Sequence, residues 1–493
     1  MADLSQIDLD PQSDVPLYKQ LAESVRTLVN CGTIEPGERL PATRELAGLL
    51  GLNRTTVSAA YAMLEQTGLL EGYVGRGSFI AKSERPIAPV SRTAKAVDWD
   101  QLLPPLESQS GPKRKISISF ASSCPAVEAF PLEPFRRLSK EVIDSPQAAQ
   151  ILQLGSPHGY PPLRRYLLEN AYESGMARPG DDLIVTNGCQ QALDLIARLF
   201  VTGGNRTVAV EDPVYHGVIR VFARAGANVL SVPLDEAGID LSELQEIIQQ
   251  HHPRLLVVTP SFQNPTGVTL PLERRKRLVE LAQRHGLVLV ENDIYSELRY
   301  QGKPLPTLKQ LDESGSTILL RSYSKVSFPG LRVGWTIAPR PVIARLAEAK
   351  QTSDLHSDQL AQAVLLRFAE SGELARHLEL TRQAGAERLR VTLRCCARYL
   401  PTGSRFTRPE GGMSLWIELP APFTAEALLS RVEPRGVDFL PGSFFSAQRS
   451  HPRALRLSFG GLSPDQIIRG LQILGEAAAA EPTAALEPVT ASV

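Results

Sequence analysis

Apolar positions in the first eighty residues recur at helical spacing. In "PLYKQLAESVRTLVNCG" (16–32), Leu17, Leu21, Val25, Leu28 and Val29 fall three or four apart, which predicts an amphipathic helix ended by Gly32. A shorter helix is predicted through "TRELAGLL" and stops at Gly51. Asn53 then occupies an N-cap position, and Val57, Ala60, Tyr61 and Leu64 make one apolar stripe on a third helix that Gly68 closes. With the stripe facing inward, Arg54, Thr55 and Ser58 stay exposed near the start of that helix. "LLEGYVGRGSFIA" (69–81) reads as two strands around Gly75, Arg76 and Gly77.

The pattern lapses from 84 to 114, a stretch rich in Pro and Ser with no sustained period, which reads as a flexible linker. It resumes as short apolar runs alternating with longer amphipathic ones. The runs are "DLIVTNG" (182–188), "TVAVEDP" (207–213), "NVLSVPL" (228–234), "RLLVVTPS" (254–261), "LVLVEND" (287–293) and "TILLRSYS" (317–324). Buried parallel strands separated by helices give this alternation, so an α/β body is expected, with ligands at the carboxyl ends of its strands. From about 345 a long helical pattern precedes "GGMSLWIELP" (411–420) and "RALRLSFG" (453–460), which suggests a smaller α+β part. The expected division is therefore a module at 1–83, the linker at 84–114, a body at 115–480 split near 344/345, and a low-complexity tail at 481–493.

Composition narrows the class only slightly. A chain of 493 residues, 43% hydrophobic and 22% charged, suits a soluble protein of two or three domains, and 53 basic residues against 53 acidic ones give no bulk attraction to nucleic acid or membrane. No export signal or membrane span is read, so a cytoplasmic location is expected. Cys31, Cys124, Cys189, Cys395 and Cys396 lack the spacing of a metal or redox motif, so reduced thiols and no metal site are expected.

Helix, turn, helix and hairpin together make a winged helix, whose third helix would meet DNA. Residues 15–83 carry seven Lys/Arg against six Glu, so a small packing or dimerisation domain stays open on these residues alone, and Arg44, Arg54 and Arg76 are the candidates for a local phosphate-binding field. The stretch from "PLYKQLAESVR" to "GRGSFIA" resembles the GntR-type winged helix across 15–82. That resemblance implies DNA contacts from Arg44, Asn53, Arg54, Thr55, Thr56 and Gly77. Ala42 departs from it, standing where the family often has a capping serine.

The body offers a candidate for each requirement of a phosphorylated aldehyde cofactor such as pyridoxal phosphate, which needs an amine, phosphate donors, an acid for the ring nitrogen, donors for the phenolic oxygen and an aromatic face. "SYSKVSFPGLRVGW" (322–335) supplies Lys325 beside Ser322 and Ser324, with Arg332 seven residues on. "TNGCQQAL" opens a helix after Gly188, so the N–H groups of Cys189 and Gln190 can hold phosphate together with Ser322 and Arg332. Tyr215 offers a ring to stack, Asn264 in "QNPTG" a donor, and Asp293 in "ENDIYSE" a carboxylate, with Tyr295 two residues on. Taken singly, each also fits a plain turn, core tyrosine, helix cap or solvated lysine.

In this order and spacing the motifs resemble fold-type I aminotransferases over roughly 115–480. The resemblance implies Lys325 as the Schiff-base lysine, Asp293 on the pyridinium, Asn264 and Tyr295 on the phenolic oxygen, and Tyr215 stacking. It also places Gly188, Cys189, Gln190, Ser322, Ser324 and Arg332 around the phosphate, and Arg456 on the carboxylate of a substrate or effector. Leu154 departs from the pattern, lying where the family commonly has a tyrosine. The two halves together look like the MocR/GabR group of regulators. That implies a homodimer on a double-stranded operator with paired half-sites, sensing an amino acid or related amine by aldimine exchange at Lys325. An active aminotransferase with an accessory winged helix is the alternative; a decarboxylase or lyase is more remote.

Overall fold

The computed structural model describes residues 4, 7–11, 13, 15–73, 77–81, 103 and 116–479. The expected linker (Leu103 apart), the tail at 481–493, and Gly75 and Arg76 in the hairpin lie outside the described residues. The chain divides into two compact units, Met1–Gly111 and Pro112–Val493.

Among the described residues the first unit has three helices, α1 (Leu17–Asn30), α2 (Thr43–Leu49) and α3 (Arg54–Gln66), and a hairpin of β1 (Leu70–Tyr73) and β2 (Gly77–Ile80). The stripe anticipated on α3 is its core face: Val57, Ala60, Tyr61 and Leu64 are buried with Leu21, Val25, Leu46, Leu70 and Ile80. Asn53 Oδ1 accepts from Thr55 N at 3.2 Å, satisfying one of the free donors at the start of α3. The buried Tyr61 hydroxyl donates to Pro41 O at 2.8 Å and ties α3 to the segment before α2. Ala42 begins α2 without a side-chain cap. In the hairpin Leu70 faces Ile80 and Tyr73 faces Gly77, and Arg39 bridges Phe79 as a third strand position.

In the second unit a short strand β3 (Ile118–Ser119) precedes an eight-stranded sheet. The six apolar runs become β4 (Asp181–Thr186), β5 (Thr207–Asp212), β6 (Asn228–Asp235), β8 (Leu255–Val258), β9 (Val288–Asn292) and β10 (Thr317–Ser322). With β7 (Gly238–Ile239) and β11 (Gly334–Pro339) the order is β4-β11-β10-β9-β8-β5-β6-β7. Neighbouring pairs from β10 to β6 are parallel, whereas β11 runs antiparallel to both β10 and β4. The six expected strands all run in the same sense, and β11, which was not expected, runs against them: residues 323–333 are too few for a crossover helix, so the chain returns beside β10 in the opposite sense. Alternation within strands feeds two cores. Val208 and Val210 of β5 pack with α4 (Cys189–Phe200) and α5 (His216–Arg224), and Ala209 packs on the other face with Leu256, Leu278 and Leu289.

The long helix α6 (Glu373–Tyr399) leads to a smaller lobe, in which α7 (Ala425–Val432) and α8 (Pro464–Ala479) pack with a sheet ordered β12-β13-β16-β15. Its strands are β12 (Arg405–Phe406), β13 (Ser414–Glu418), β15 (Leu440–Pro441) and β16 (Ala454–Ser458), with β14 (Val437–Asp438) apart. β14 pairs in parallel with β3, and Ile118 and Phe120 pack among Leu415, Leu457 and Leu471. The start of the stretch expected in the large part thus joins the smaller lobe.

Candidate functional site

Two groups of residues stand out, one in each unit. In the first, Arg44, Asn53, Arg54 and Thr55 are exposed and Thr56 is half-buried. Neither Arg44 nor Arg54 has an ion-pair partner among the described residues, which leaves both guanidinium groups available to phosphate. Gly77 begins β2 at φ 103°, and a Cβ there would lie 3.0 Å from Arg39 Nε. The glycine is thus needed for backbone conformation and for room beside Arg39. The sequence reading missed Arg39, an exposed arginine against the hairpin, because nothing local marks it as a neighbour of Gly77.

In the second unit the carboxyl ends of β4, β5, β8, β9 and β10 deliver the remaining candidates except Arg456, which lies within β16. Lys325 follows β10, and its Nζ donates to Ser123 O and lies 5.7 Å from the Tyr295 ring centroid. The Tyr295 hydroxyl is buried 3.5 Å from Asn264 Nδ2 and 3.4 Å from Ser123 Oγ. Asn264 Oδ1 in turn accepts from Arg456 Nη1 at 3.1 Å. Arg456, on β16, also donates from Nη2 to Ala121 O and sits 5.0 Å from the centre of the Phe445 ring. Burial pulls this guanidinium below its ordinary value, although Tyr295 and Tyr215 oppose the shift, and its buried Nε has no hydrogen-bond partner. A buried donor left open is a place for an anionic group to bind. Asp293, 3% exposed just past β9, accepts from Ser296 Oγ at 2.8 Å and pairs with Arg321 Nε at 3.3 Å.

After β4, Gly188 precedes α4 at φ 77°, and a Cβ there would strike Arg332 Nη2. Arg332 is exposed; its Nη2 donates to Asn187 O at 3.2 Å and Nη1 to Ser324 Oγ at 3.3 Å. Ser322 Oγ donates to Ser324 Oγ at 2.9 Å and accepts from Ser324 N at 3.0 Å. The start of α4, with Cys189 half-buried and Gln190 exposed, has no side-chain cap, which leaves its first N–H groups to a ligand or to water. Burial pushes the Cys189 thiol up to about 12, against the pull of Arg332 and Lys325, so the group stays a neutral thiol. Tyr215 packs edge-on to His216 at 4.7 Å, and burial raises its hydroxyl, with Tyr295 adding to the rise and Arg456 and Arg332 opposing it.

Ser123, Arg321 and Phe445 complete this geometry without having been anticipated. The one available signal was Arg321, a charged residue inside the otherwise apolar run "TILLRS". Leu154 is 73% exposed and Leu152 65%. Among the described residues no group of His, Cys, Asp and Glu is arranged for a metal ion, and no helix is long and apolar enough to cross a membrane.

Comparison with known proteins matches residues 126–474 to the family "Aminotransferase class I and II" and residues 17–80 to "Bacterial regulatory proteins, gntR family". The chain is 35% identical over 367 residues to aromatic-amino-acid aminotransferase 1 of Thermococcus litoralis, covering 73% of this chain and 87% of that one. It is 30% identical over 481 residues to the probable rhizopine catabolism regulatory protein MocR of Rhizobium meliloti, covering 95% of each. A solved structure of LysN, the alpha-aminoadipate aminotransferase of Thermus thermophilus complexed with N-(5'-phosphopyridoxyl)-L-leucine, is similar with a TM-score of 0.69 and 37% identity over 74% of this chain and 92% of that one.

Proposed function

The chain belongs to the class I and II aminotransferase family and carries a GntR-family module at its amino-terminal end, and from that premise we propose that it is a transcriptional regulator that binds DNA and senses an amino acid or related amine. The observation that carries this reading is the likeness to a regulatory protein across 95% of the chain, both units included.

The donors in the second unit suit pyridoxal phosphate. Its phosphate would be held by Arg332, Ser322, Ser324 and the N–H groups of Cys189 and Gln190 behind Gly188, its ring nitrogen by Asp293, its phenolic oxygen by Asn264 and Tyr295, and its face by Tyr215. The orphaned Arg456 Nε and the cradle that a Cβ at Gly188 would fill support this fit. When bound, the group supplies a carbonyl carbon that bonds reversibly to an amine and a ring that accepts electrons. The chain's residues do the recognising. Arg456 forks onto a carboxylate, which favours an amino acid over a simple polyamine. Lys325 Nζ would hold the carbonyl carbon of the group and would accept the proton of an incoming amine. The freed lysine and the newly held carboxylate alter contacts between the lobes, and DNA affinity shifts if one arrangement of the protein binds the amine better than another.

Exposed Leu152 and Leu154, on either side of Gln153, whose carbonyl is held by Gln359 Nε2 at 2.8 Å, support a second copy of the chain as partner. A two-fold dimer calls for paired half-sites in its operator.

The test is a gel shift on the DNA upstream of its own gene, with the pyridoxal-phosphate-loaded protein and a panel of amino acids, for wild type and Lys325→Ala. One or more amino acids are expected to change the wild-type affinity at least about fivefold, the lower range of allosteric coupling, with no response in the variant. Steady keto-acid production with no effect on DNA binding would replace this reading with that of a working aminotransferase.

A further inference from the structure

Beside Asp293 lies a charged side chain that amine recognition leaves unused. Arg321, one residue before the end of β10, keeps only 13% of its side chain exposed. Its Nε lies 3.3 Å from Asp293 Oδ2, the same oxygen that accepts from Ser296 Oγ, and its Nη2 donates to Glu297 Oε1 at 2.9 Å. Asp293 Oδ1 has no hydrogen bond among the described residues. Arg321 is fixed in this place from both sides. Arg382 of α6 meets Glu297 Oε2 at 3.0 Å and donates from Nε to Glu297 O at 2.7 Å, and Met176 Sδ lies 3.5 Å from Arg321 Nη1.

A carboxylate that holds a pyridinium works through its negative charge, and a buried guanidinium a hydrogen-bond length away draws on that same charge. We propose that Arg321 is a positioning residue acting through Asp293: it shares the carboxylate's charge, so a ring nitrogen on Oδ1 is protonated less firmly, and the site exchanges amines readily but removes their α-proton slowly. The inference rests on the reading above, that the site holds pyridoxal phosphate.

The two steps differ in what they ask of the ring. In exchange, the C–N bond to Lys325 breaks as one to the incoming amine forms, and the incoming ammonium's proton ends on Nζ; no electron pair enters the ring. Loss of the α-proton to a base leaves an electron pair on carbon that only a well-protonated ring stabilises. A site tuned in this way favours recognition over turnover, which is what a sensor requires.

The experiment loads the full chain with pyridoxal phosphate labelled with nitrogen-15 in its ring and follows the ring nitrogen by NMR, α-proton loss from a bound amino acid in single turnover, and the midpoint of amine exchange by absorbance. In Arg321→Gln the nitrogen signal is expected to move toward the protonated form and α-proton loss to rise about tenfold, the effect of one pKa unit, with the exchange midpoint changed less than about twofold. Glu297→Gln frees Arg321 to act wholly on Asp293. Glu297 is 42% exposed, so this second variant is expected to fold if the first does not, and it should move the nitrogen signal the other way and slow α-proton loss about threefold, half of that unit. Slower α-proton loss or an unmoved nitrogen signal in Arg321→Gln, or faster loss in Glu297→Gln, would overturn the proposal, since Arg321 would then only hold Asp293 in position. Failure of the underlying reading looks different: the wild-type chain would retain no labelled cofactor.

Discussion

The two units place function at opposite depths. Among the described residues of the first, no charged side chain is buried and the buried Tyr61 hydroxyl is satisfied by Pro41 O, and Arg44, Arg54 and Thr55 sit on a shell around an apolar core. In the second, Asn264, Asp293, Ser322 and Arg456 are buried alongside Glu211 and Glu291. Folding and recognition are separable in the first unit, because exposed charges cost the fold nothing. In the second they share residues, because a buried charge such as Asp293 is held by neighbours, Ser296 and Arg321, that also shape the site.

The largest break in that contrast should come from Arg456→Met. The guanidinium faces Asn264, Ala121 O and the Phe445 ring, with no carboxylate among the described residues to balance it, so its desolvation is an unrecovered cost. Replacing it with an apolar side chain of similar length should lower effector affinity about 100-fold, or about 2.7 kcal/mol. The melting temperature of the effector-free protein should hold or rise, as at sites where function is kept at the expense of stability. Titration by absorbance and calorimetry read the two effects separately. A large fall in both would show that Arg456 holds the lobes together, and the contrast would need redrawing.

Acid–base linkage sharpens the same comparison at a smaller scale. Burial pushes Glu211 up to about 8, despite hydrogen bonds from Gln263 Nε2 at 3.2 Å and Thr259 N at 3.1 Å, so it is neutral in the fold and ionised in the unfolded chain near neutrality. Glu291 is raised by burial and by Asp293 to about 7. The folded form therefore holds more protons above the ordinary carboxylate range, and stability falls as pH rises toward the folded value. Between pH 7 and 8, past the Glu291 value, Glu211 dominates, at no more than about 1.4 kcal/mol per pH unit. Glu211→Gln should flatten the pH dependence of melting for the second unit, and the first unit, with no buried carboxylate among its described residues, should show no such slope. A variant that keeps the wild-type slope would remove Glu211 from this account.

Local features were legible in the sequence, and distant juxtapositions were not. The stripe of Val57, Ala60, Tyr61 and Leu64 needs only helical periodicity, and six of the eight strands in the large sheet needed only a short apolar run between longer segments. The residues around Lys325 could be gathered because each follows a strand end. What escaped depends on pairings that periodicity does not encode: β11 returning antiparallel, β3 crossing to β14, and the arginine on β16 reaching Asn264 across 192 residues and Ala121 across 335. Arg321 was hidden for a related reason. A strand pattern says which face a side chain takes, not that Asp293 and Glu297 wait on that face to pair with it.

Arg54→Ala should have the smallest effect on the fold, and it tests the exposed side of the contrast directly. Arg54 begins α3 immediately after the Asn53 cap; it is exposed, and no ion pair among the described residues depends on it. Its removal should change stability by less than about 0.5 kcal/mol, the usual range for such surface positions. If the side chain meets a phosphate, affinity for all duplexes should fall together and the slope of log affinity against log salt should drop by about 1, because one fewer counterion is displaced. If it meets a base edge, the operator should lose about 1–3 kcal/mol relative to unrelated duplexes while the salt slope changes little. Fluorescence anisotropy over a salt series separates these outcomes. Unchanged affinity and slope would exclude the start of α3 from the DNA surface, and the exposed face of the first unit would need another use.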